Sequence, residues 1–160
     1  MPKIYVGTYE KYSECNLFGA WVDLDDFETK DDFIEHCLDL HADEEDPELF
    51  FQDFEGIPRY FISECSIDSE FWDYMNYDDG HDGDAKEAYV NLFNEWDSRD
   101  FEERLYGRFD SDTDLAYDYV ENAGVLDGVP SYLQNYFDYE KFGRDLAMDF
   151  SEDGGYYFRS

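Results

Sequence analysis

Four acidic side chains in the last third of the chain have the spacing of a calcium-binding loop. Asp110, Asp112, Asp114 and Glu121 match loop positions 1, 3, 5 and 12 of an EF-hand. Position 6, where the sharp turn requires glycine, is occupied by Leu115, and the preceding residues are typical of a strand rather than a helix. We therefore interpret these acids as the start of a helix. A calcium-stabilised protein is the hypothesis that we favour least.

Two shorter patterns also invite a chemical interpretation. Glu28, Thr29 and Lys30 have the E-x-K form of many nucleases, but no Pro-Asp pair precedes them, so Thr29 is better explained as a helix N-cap. Cys37 and His41 lie four residues apart and could hold a metal ion from one helix. Without a second such pair, we expect a core cysteine and a surface histidine.

The sequence contains none of the fingerprints of common catalytic sites. It has no P-loop, no GxSxG motif and no dinucleotide-binding glycine pattern, and its scattered acids mark no glycosidase cleft. We therefore expect a protein that is not an enzyme and that needs no cofactor and no metal. The three cysteines, Cys15, Cys37 and Cys65, lack CxxC spacing and are predicted to be free thiols.

Carboxylates recur at helical spacing opposite the apolar side of the predicted helices. Asp31, Glu35 and Asp39 follow one another every four residues, about 6 Å apart along the helix axis. Like charges at this spacing cost a few tenths of a kcal/mol each, so the ladder does not serve helix stability. The acids that we expect to be exposed in this way are Asp31, Glu35, Asp39, Glu70, Asp73, Asp78, Asp79, Asp82, Asp84, Glu87, Asp114, Asp118 and Glu121.

The charge extends along the whole chain. The formal net charge of −32 divides into −13 for residues 1–60, −10 for residues 61–100 and −9 for residues 101–160. An aromatic content of 21% argues for a folded protein rather than a disordered acidic tail. Such a surface repels nucleic acid and anionic membranes and attracts basic proteins, including those that bind DNA. Duplex DNA carries one negative charge per about 1.7 Å of its axis. The 32 net charges of this chain therefore correspond to roughly 54 Å of duplex, or about 16 base pairs.

The first part of the chain is predicted to be a mixed α/β unit. Residues Ile4 to Tyr9 and Gly19 to Leu24 are typical of two strands, and Leu49 to Phe54 of a third. Between them, Thr29 caps a helix that ends near Leu40. The apolar face of that helix consists of Phe33, Ile34, Cys37 and Leu38.

The centre of the chain is predicted to be helical and the last part to be mixed again. Apolar periodicity indicates helices over Asp68 to Tyr77 and Ala85 to Trp96. A short strand near Leu105 precedes a helix that Ser111 caps and Gly124 ends. Pro130 fits the first turn of the next helix, and Met148–Ser151 and Tyr156–Arg159 form a terminal hairpin. The predicted fold class is α+β, an elongated chain of three small subdomains over residues 1–61, 62–103 and 104–160.

The stretch from Leu126 to Leu146 combines aromatic rings with carboxylates. Tyr132, Tyr136, Phe137, Tyr139 and Phe142 alternate with acids over these 21 positions. Aromatic side chains favour burial or a partner surface, whereas carboxylates are rarely buried unpaired. We predict that this segment builds a subunit contact or the C-terminal core rather than a surface that binds a basic partner.

Three blocks of the sequence resemble the ArdA family of antirestriction proteins. The first is YVGTYEKYSECNLFGAWVDL from Tyr5 to Leu24, and the second is LHADEEDPELFFQDFEGIP from Leu40 to Pro58. The third lies in the aromatic stretch and includes Leu126, Val129, Pro130, Tyr136, Phe137, Asp138, Tyr139, Glu140, Arg144, Asp145 and Leu146. The match is weakest from residue 66 to 109. Small departures occur at Ser13, Glu14 and Cys15, where an Asn and small residues are expected, and at Phe142, where Tyr is common.

This resemblance implies a protein mimic of DNA. It implies an elongated, curved homodimer whose carboxylates imitate the phosphates of bent duplex DNA. Together with the carboxylate ladders, it leads us to predict that the exposed acids named above act as surrogates for phosphate groups. The implied partner is a type I restriction-modification enzyme, whose methyltransferase core it would occupy in place of DNA so that incoming mobile DNA escapes cleavage. An alternative is an acidic interaction module that binds other basic DNA-binding proteins. The first residues lack the apolar run of a signal peptide, no run of about 18 apolar residues exists, and we expect a cytoplasmic protein with no nucleic-acid or membrane partner.

Overall fold

The computed structural model describes residues 1–78, 80 and 83–160 and contains two compact units, Met1–Asp78 and Asp79–Ser160. Both units mix helices with a small sheet, so the α+β class is confirmed. The division into three subdomains, with boundaries near residues 61 and 103, remains a prediction.

The N-terminal unit is built on a three-stranded antiparallel sheet. The strands are β1 (Lys3–Thr8), β2 (Ala20–Asp23) and β3 (Leu49–Glu55), in the order β2-β1-β3. The central strand pairs Ile4 with Val22 on one side and with Phe54 on the other. Because strand side chains alternate between faces, Ile4 and Val6 are fully buried while their neighbour Tyr5 is not.

Three helices belong to this unit: α1 (Tyr9–Ser13), α2 (Lys30–Leu40) and α3 (Glu70–Asn76). The N-cap prediction for α2 is confirmed, since the Thr29 hydroxyl accepts a hydrogen bond from the Asp32 amide at 3.2 Å. Phe33 lies at the centre of the core, with ring centroids 6.1 Å from Phe51 and 5.9 Å from Trp72. The predicted apolar face of α2 is wrong at one residue, since the side chain of Leu38 is 40% exposed.

The second unit also centres on a three-stranded antiparallel sheet. Its strands are β4 (Leu105–Arg108), β5 (Phe150–Asp153) and β6 (Tyr156–Arg159), in the order β4-β6-β5. The predicted terminal hairpin is present, with Gly154 and Gly155 at positive φ in its turn, but its first strand begins two residues later than predicted, because Ala147–Asp149 form a 3-10 helix. Positive φ is accessible to glycine without the steric cost that a Cβ brings.

Five helices of this unit lie in the described part of the chain: α4 (Asp84–Phe93), α5 (Ser98–Arg104), α6 (Asp112–Ala123), α7 (Ser131–Gln134) and α8 (Tyr139–Leu146). The helix predicted to reach Trp96 ends at Phe93, because Asn94 adopts the left-handed conformation at φ 51°. Helix α5 was not predicted from the sequence; Asp97 caps it. Ser111 and Gly124 delimit α6 as predicted.

The core of the second unit has two neighbouring parts. Tyr89, Phe101 and Phe158 are buried together, with Tyr89 and Phe101 ring centroids 5.8 Å apart. Leu115, Leu146 and Tyr157 form the other part, where α6 and α8 meet the sheet. Gly143 allows the close approach of these helices, since a Cβ at this position would collide with the backbone carbonyl of Asp112.

Candidate functional site

The carboxylate ladder of α2 lies on the solvent side of the first unit. Burial of Phe33 and Cys37 against the sheet turns Asp31, Glu35 and Asp39 outward, and all three are exposed. None of the three forms a salt bridge with any residue in the described part of the chain. Their spacing of about 6 Å along the axis therefore presents a row of uncompensated charges.

The acids on α3 and next to it are also exposed. Glu70 and Asp73 are exposed on α3, and Asp78 is exposed just after the helix. Partial burial, followed by repulsion from Asp68 and Asp73, raises the pKa of Glu70. The repulsive part of this shift means that Glu70 lies close to other negative charges.

Two predicted acids of the second unit lie on α4 and two lie outside the described residues. Asp84 and Glu87 are exposed in the first turn of α4, where the helix dipole favours negative charge. Asp79 and Asp82 are not among the residues that the structure describes.

The acids of α6 do not all have the same environment. Asp114 and Glu121 are exposed, whereas Asp118 is half-buried. Asp118 accepts hydrogen bonds from the Tyr106 hydroxyl at 2.9 Å and from the Asn122 amide at 3.0 Å. These bonds fix its carboxylate on the helix surface, so Asp118 has a structural role in addition to any role in binding.

The cations of the chain are few, and the structure uses several of them internally. The chain has 11 Lys and Arg residues against 43 Asp and Glu residues. Lys11 is buried in the first unit, and Arg104 is paired with Asp100 at 2.8 Å within α5. Lys3 lies 3.2 Å from Glu55 at the sheet edge. These pairs neutralise acids away from the predicted ladders.

The aromatic stretch from Leu126 to Leu146 separates into an inner and an outer group. Phe137 and Phe142 pack together with ring centroids 5.3 Å apart, and Tyr139 stacks on Tyr117 at 4.0 Å. These contacts place the inner group beside the core of the second unit, where Leu146 is buried. Asp138 caps α8 by accepting a hydrogen bond from the Lys141 amide at 3.0 Å.

The outer group of this stretch is accessible. Tyr132 and Tyr136 are 70% and 83% exposed, and Leu133 is 44% exposed beside them. Among the other residues predicted for the motif, Leu126 is half-buried. Val129, Pro130, Arg144 and Asp145 are exposed. The homodimer contact itself remains a prediction.

The calcium and nuclease patterns fail geometrically, as expected from the sequence. Asp112 begins α6, and Glu121 lies on the same helix about 13 Å further along the axis, too far for one ion. Asp112 instead accepts a hydrogen bond from the Tyr157 hydroxyl at 2.6 Å. Thr29 is an N-cap, so the E-x-K triplet is a helix start.

One prediction about the first unit is wrong: His41 is fully buried rather than on the surface. Its Nδ1 atom lies 2.9 Å from Lys11 Nζ, and its Nε2 atom lies 3.1 Å from the Val6 carbonyl oxygen. An ammonium can only donate and a carbonyl can only accept, so the neutral Nε2–H tautomer satisfies both contacts. Burial raises the pKa of the Cys37 thiol to about 12, which keeps the thiol protonated at neutral pH.

His41, Asp43 and Glu44 bring their ligand atoms within 4.8 Å of one another, as in a metal site. The ammonium of Lys11 occupies the position that an ion would take. It lies 2.9 Å from His41 Nδ1, 2.8 Å from Asp43 Oδ1 and 2.9 Å from Glu44 Oε2. This polar cluster was missed from the sequence because Lys11 is 30 residues from His41 and gives no local signal.

Comparison with known proteins gives one family. The family model described as Antirestriction protein (ArdA) matches residues 4–158. A search of curated proteins finds no match. Across residues 1–78, 80 and 83–160, no helix has both the length and the apolar character needed to cross a membrane.

Proposed function

The chain belongs to the ArdA family of antirestriction proteins, and from this premise we propose that it inhibits type I restriction-modification enzymes by imitating the charge pattern of bent duplex DNA. The inhibitor occupies the DNA-binding groove of the methyltransferase core, so DNA and inhibitor compete for the same site. Incoming mobile DNA then escapes cleavage. The proposal involves no catalytic chemistry.

The observation that carries this proposal is the uncompensated carboxylate ladder of α2, which is repeated in shorter form on the other acidic helices. Phosphates of one DNA strand are spaced about 3.4 Å apart along the duplex axis, and their separation through space is larger because the strand winds around that axis. Carboxylates every four residues on a helix, about 6 Å apart, reproduce a row of single negative charges of similar density. Of the predicted acids that lie among the described residues, all except the half-buried Asp118 are exposed.

Long-range electrostatics explains how such a surface competes with DNA. A net charge of −32 attracts the positive lining of a DNA-binding groove before contact and accelerates association. The interaction weakens with salt, because charges separated by more than about 10 Å are screened at 0.1 M ionic strength. Since the charge is distributed, the loss of one exposed acid has a small effect and the loss of a whole ladder has a larger one.

The proposal includes a homodimer formed through the aromatic stretch. The exposed side chains of Tyr132, Leu133 and Tyr136 supply the apolar area that a subunit contact buries. Phe137 packs on Phe142 of α8, and Tyr139 stacks on Tyr117 of α6, and these contacts support the backbone that presents the exposed residues. A dimer doubles the charge available to the groove.

A displacement assay tests the proposal. A type I methyltransferase core is bound to its labelled cognate duplex in low salt, and the protein is added. We expect displacement at low salt and loss of displacement as salt increases. Failure to displace DNA at low salt contradicts the proposal. Displacement of DNA from an unrelated basic DNA-binding protein with equal affinity favours the alternative, a general acidic interaction module.

Neutralisation of the ladder gives a second measurement on the same site. The triple variant Asp31→Asn, Glu35→Gln, Asp39→Asn removes three exposed charges without changing side-chain size. Its matched control, Glu14→Gln, Glu45→Gln, Asp110→Asn, removes three exposed acids that lie outside the predicted set. We expect the ladder variant to bind the enzyme more weakly than the control and with a shallower dependence on salt. Equal affinities contradict a role for the ladder.

A further inference from the structure

The edge strands of the two sheets differ in how well they are shielded. An edge strand presents unpaired main-chain N–H and C=O groups, which proteins commonly shield with bulges or with other parts of the chain. On β3, the Phe51 amide donates a hydrogen bond to the Glu64 carbonyl at 2.6 Å. A shift of register interrupts the pairing of β4, and α4 packs against β5, where the Asn91 amide donates a hydrogen bond to the Asp153 side chain at 3.3 Å. Among the described edge strands, β2 has neither kind of shielding.

The main-chain groups on the free side of β2 belong to Trp21 and Asp23. The Leu24 amide donates a hydrogen bond to the Pro2 carbonyl at 2.9 Å, and the register between β1 and β2 is regular. In an antiparallel pair, residues that bond to the partner strand alternate with residues that do not. Val22 therefore bonds to β1, whereas the N–H and C=O groups of Trp21 and Asp23 point away from it. No described strand lies on that side.

Exposed apolar side chains lie beside this free edge. Trp21 is 43% exposed, and Leu17, in the loop before β2, is 62% exposed. The Tyr5 hydroxyl donates a hydrogen bond to the Leu17 carbonyl at 2.8 Å, and the Tyr5 ring meets the Trp21 ring edge-on with centroids 5.6 Å apart. These contacts fix the loop and the Trp21 ring next to each other. An exposed tryptophan with an apolar neighbour is typical of the residues that anchor protein–protein interfaces.

The charges next to the free edge favour a basic partner. Asp25 and Asp26 lie just after β2 and are exposed. Partial burial, followed by repulsion from Asp23 and Asp26, raises the pKa of Asp25, so these negative charges lie close together. The ammonium group of Lys3, on the neighbouring strand, is already paired with Glu55 at 3.2 Å. A second copy of this chain, with its net charge of −32, is repelled from this edge, whereas a segment that carries Lys or Arg is attracted to it.

We propose that an extended, basic segment of a protein partner joins the first sheet as a strand beside β2. Its main chain bonds to the N–H and C=O groups of Trp21 and Asp23, an apolar side chain packs on the Trp21 ring, and a Lys or Arg side chain faces Asp25 and Asp26. The identity of the partner rests on the proposed function, because a DNA-binding groove supplies basic segments. The pairing of strands does not rest on it, since the imitation of DNA requires charge and no strand edge.

Amide hydrogen exchange of the full-length protein, measured by NMR with a synthetic strand, tests the edge directly. The probe is acetyl-Lys-Val-Lys-Val-Lys-Val-Lys-amide. Its matched control carries N-methyl groups on the central residues, so it keeps the charge and the side chains but loses the main-chain donors. We expect the probe to slow exchange at the Trp21 and Asp23 amides and the control to leave it unchanged.

Two results of this experiment would overturn the proposal. Equal protection by the two peptides would show that attraction between charges is sufficient. Protection in the absence of peptide that grows with protein concentration would show that β2 pairs with a second copy of the chain.

Two substitutions of Trp21 separate the main chain from the side chain. Trp21→Val removes the ring and keeps the amide N–H, whereas Trp21→Pro removes both. Because this N–H points away from β1, proline is tolerated here as it is on other edge strands. We expect Trp21→Pro to bind the probe about tenfold more weakly than Trp21→Val, as for the loss of one hydrogen bond whose acceptor stays unpaired. Equal binding by two folded variants would contradict main-chain pairing, and the two peptides decide the question if Trp21→Pro does not fold.

A pair of charge variants tests the choice of a basic partner. Asp25→Asn with Asp26→Asn removes the two exposed acids next to β2, and its matched control, Asp110→Asn with Asp149→Asn, removes two exposed acids of the second unit. We expect the first variant to bind the probe more weakly than the control. Equal binding would show that the charges beside the edge do not select the partner.

The displacement assay distinguishes this inference from the proposed function. A protein that pairs with the probe at β2 but displaces no DNA from any type I enzyme retains the strand edge as a binding site and loses the proposed function. A protein that displaces DNA but does not distinguish the probe from its N-methylated control retains the function and loses the edge. If both hold, Trp21→Pro should weaken inhibition more than Trp21→Val.

Discussion

Replacement of Lys11 by methionine tests whether one buried ammonium group holds the loop after α2 against the first strand. The Lys11 side chain is 7% exposed, and its Nζ atom contacts His41, Asp43 and Glu44. Burial by itself would lower the pKa of Lys11, but hydrogen bonds from its ammonium to Asp43 and Glu44 outweigh burial and raise it. Lys11→Met keeps much of the aliphatic length and removes the charge.

The cost of this change follows from the burial of the partners. Glu44 is 8% exposed and His41 is fully buried, whereas Asp43 is 64% exposed and can be hydrated again. Removing one partner of a buried ion pair costs about 3–5 kcal/mol, because the other charge is left without compensation. A domain has only about 5–15 kcal/mol of total stability. We therefore expect Lys11→Met to lose a large fraction of the unfolding free energy of the protein.

Urea unfolding followed by tryptophan fluorescence measures the loss. The control is Lys3→Met, which breaks the exposed pair with Glu55 and should cost no more than about 1 kcal/mol. The effect of Lys3→Met should disappear at high salt, whereas that of Lys11→Met should persist because the buried pair is poorly screened. The double variant Lys11→Met, Glu44→Gln should recover much of the loss, since no buried charge is left unpaired.

Two results would refute this reasoning. The first is a Lys11→Met variant that unfolds at the same urea concentration as Lys3→Met. The second is a double variant no more stable than Lys11→Met alone, which would show that the uncompensated charge of Glu44 is not the source of the cost.

Three further predictions concern the second unit. Tyr157→Phe removes the hydroxyl bonded to Asp112 at 2.6 Å and should lower the unfolding free energy by about 1.5 kcal/mol, measured by urea unfolding. Gly143→Ala places a methyl group against the backbone of Asp112 and should cost about 1–3 kcal/mol by the same assay. Hydrogen bonds from Tyr89 and then Arg104 lower the pKa of Asp100 below 3.8, so its stabilising contribution is present above that pH and is lost as pH falls through the lowered value. Asp100→Asn should therefore be less stable than the parent protein at neutral pH and converge with it in acid.

Each of these three predictions has a result that contradicts it. Tyr117→Phe is the control for Tyr157→Phe, because Tyr117 is 53% exposed and should tolerate the change within about 0.5 kcal/mol; equal effects of the two changes would exclude a role for the bond between Tyr157 and Asp112. Unchanged stability of Gly143→Ala would mean that α6 and α8 separate freely. A constant stability difference for Asp100→Asn from neutral to acid pH would show that ionisation of Asp100 is not involved.

The helices and strands of this fold could largely be predicted from the sequence. Ser111 and Gly124 delimit α6 as predicted, because a hydroxyl that caps backbone amides and a residue that tolerates positive φ act within one turn of the chain. The terminal hairpin was likewise predictable from its paired glycines. Helix α5 was missed, since its seven residues show no clear apolar period and only Phe101 is buried. The end of α4 was also missed, because Asn94 ends it in a left-handed conformation that Asn adopts only in some contexts.

The sequence by itself determined the charge, the α+β class, the family resemblance and the outward placement of the α2 ladder, because each of these depends on composition or on neighbours within a few residues. Only the tertiary structure determined which polar side chains are buried and which partners they have. Lys11 and His41 are surface residues by type, yet the packing of α1 and of the loop after α2 on β1 buries them together. The same packing brings the Glu10 carboxyl group against Glu44, whose side chain is 8% exposed. Pairings between residues some 30 positions apart depend on how the elements pack, and no periodicity in the sequence encodes them.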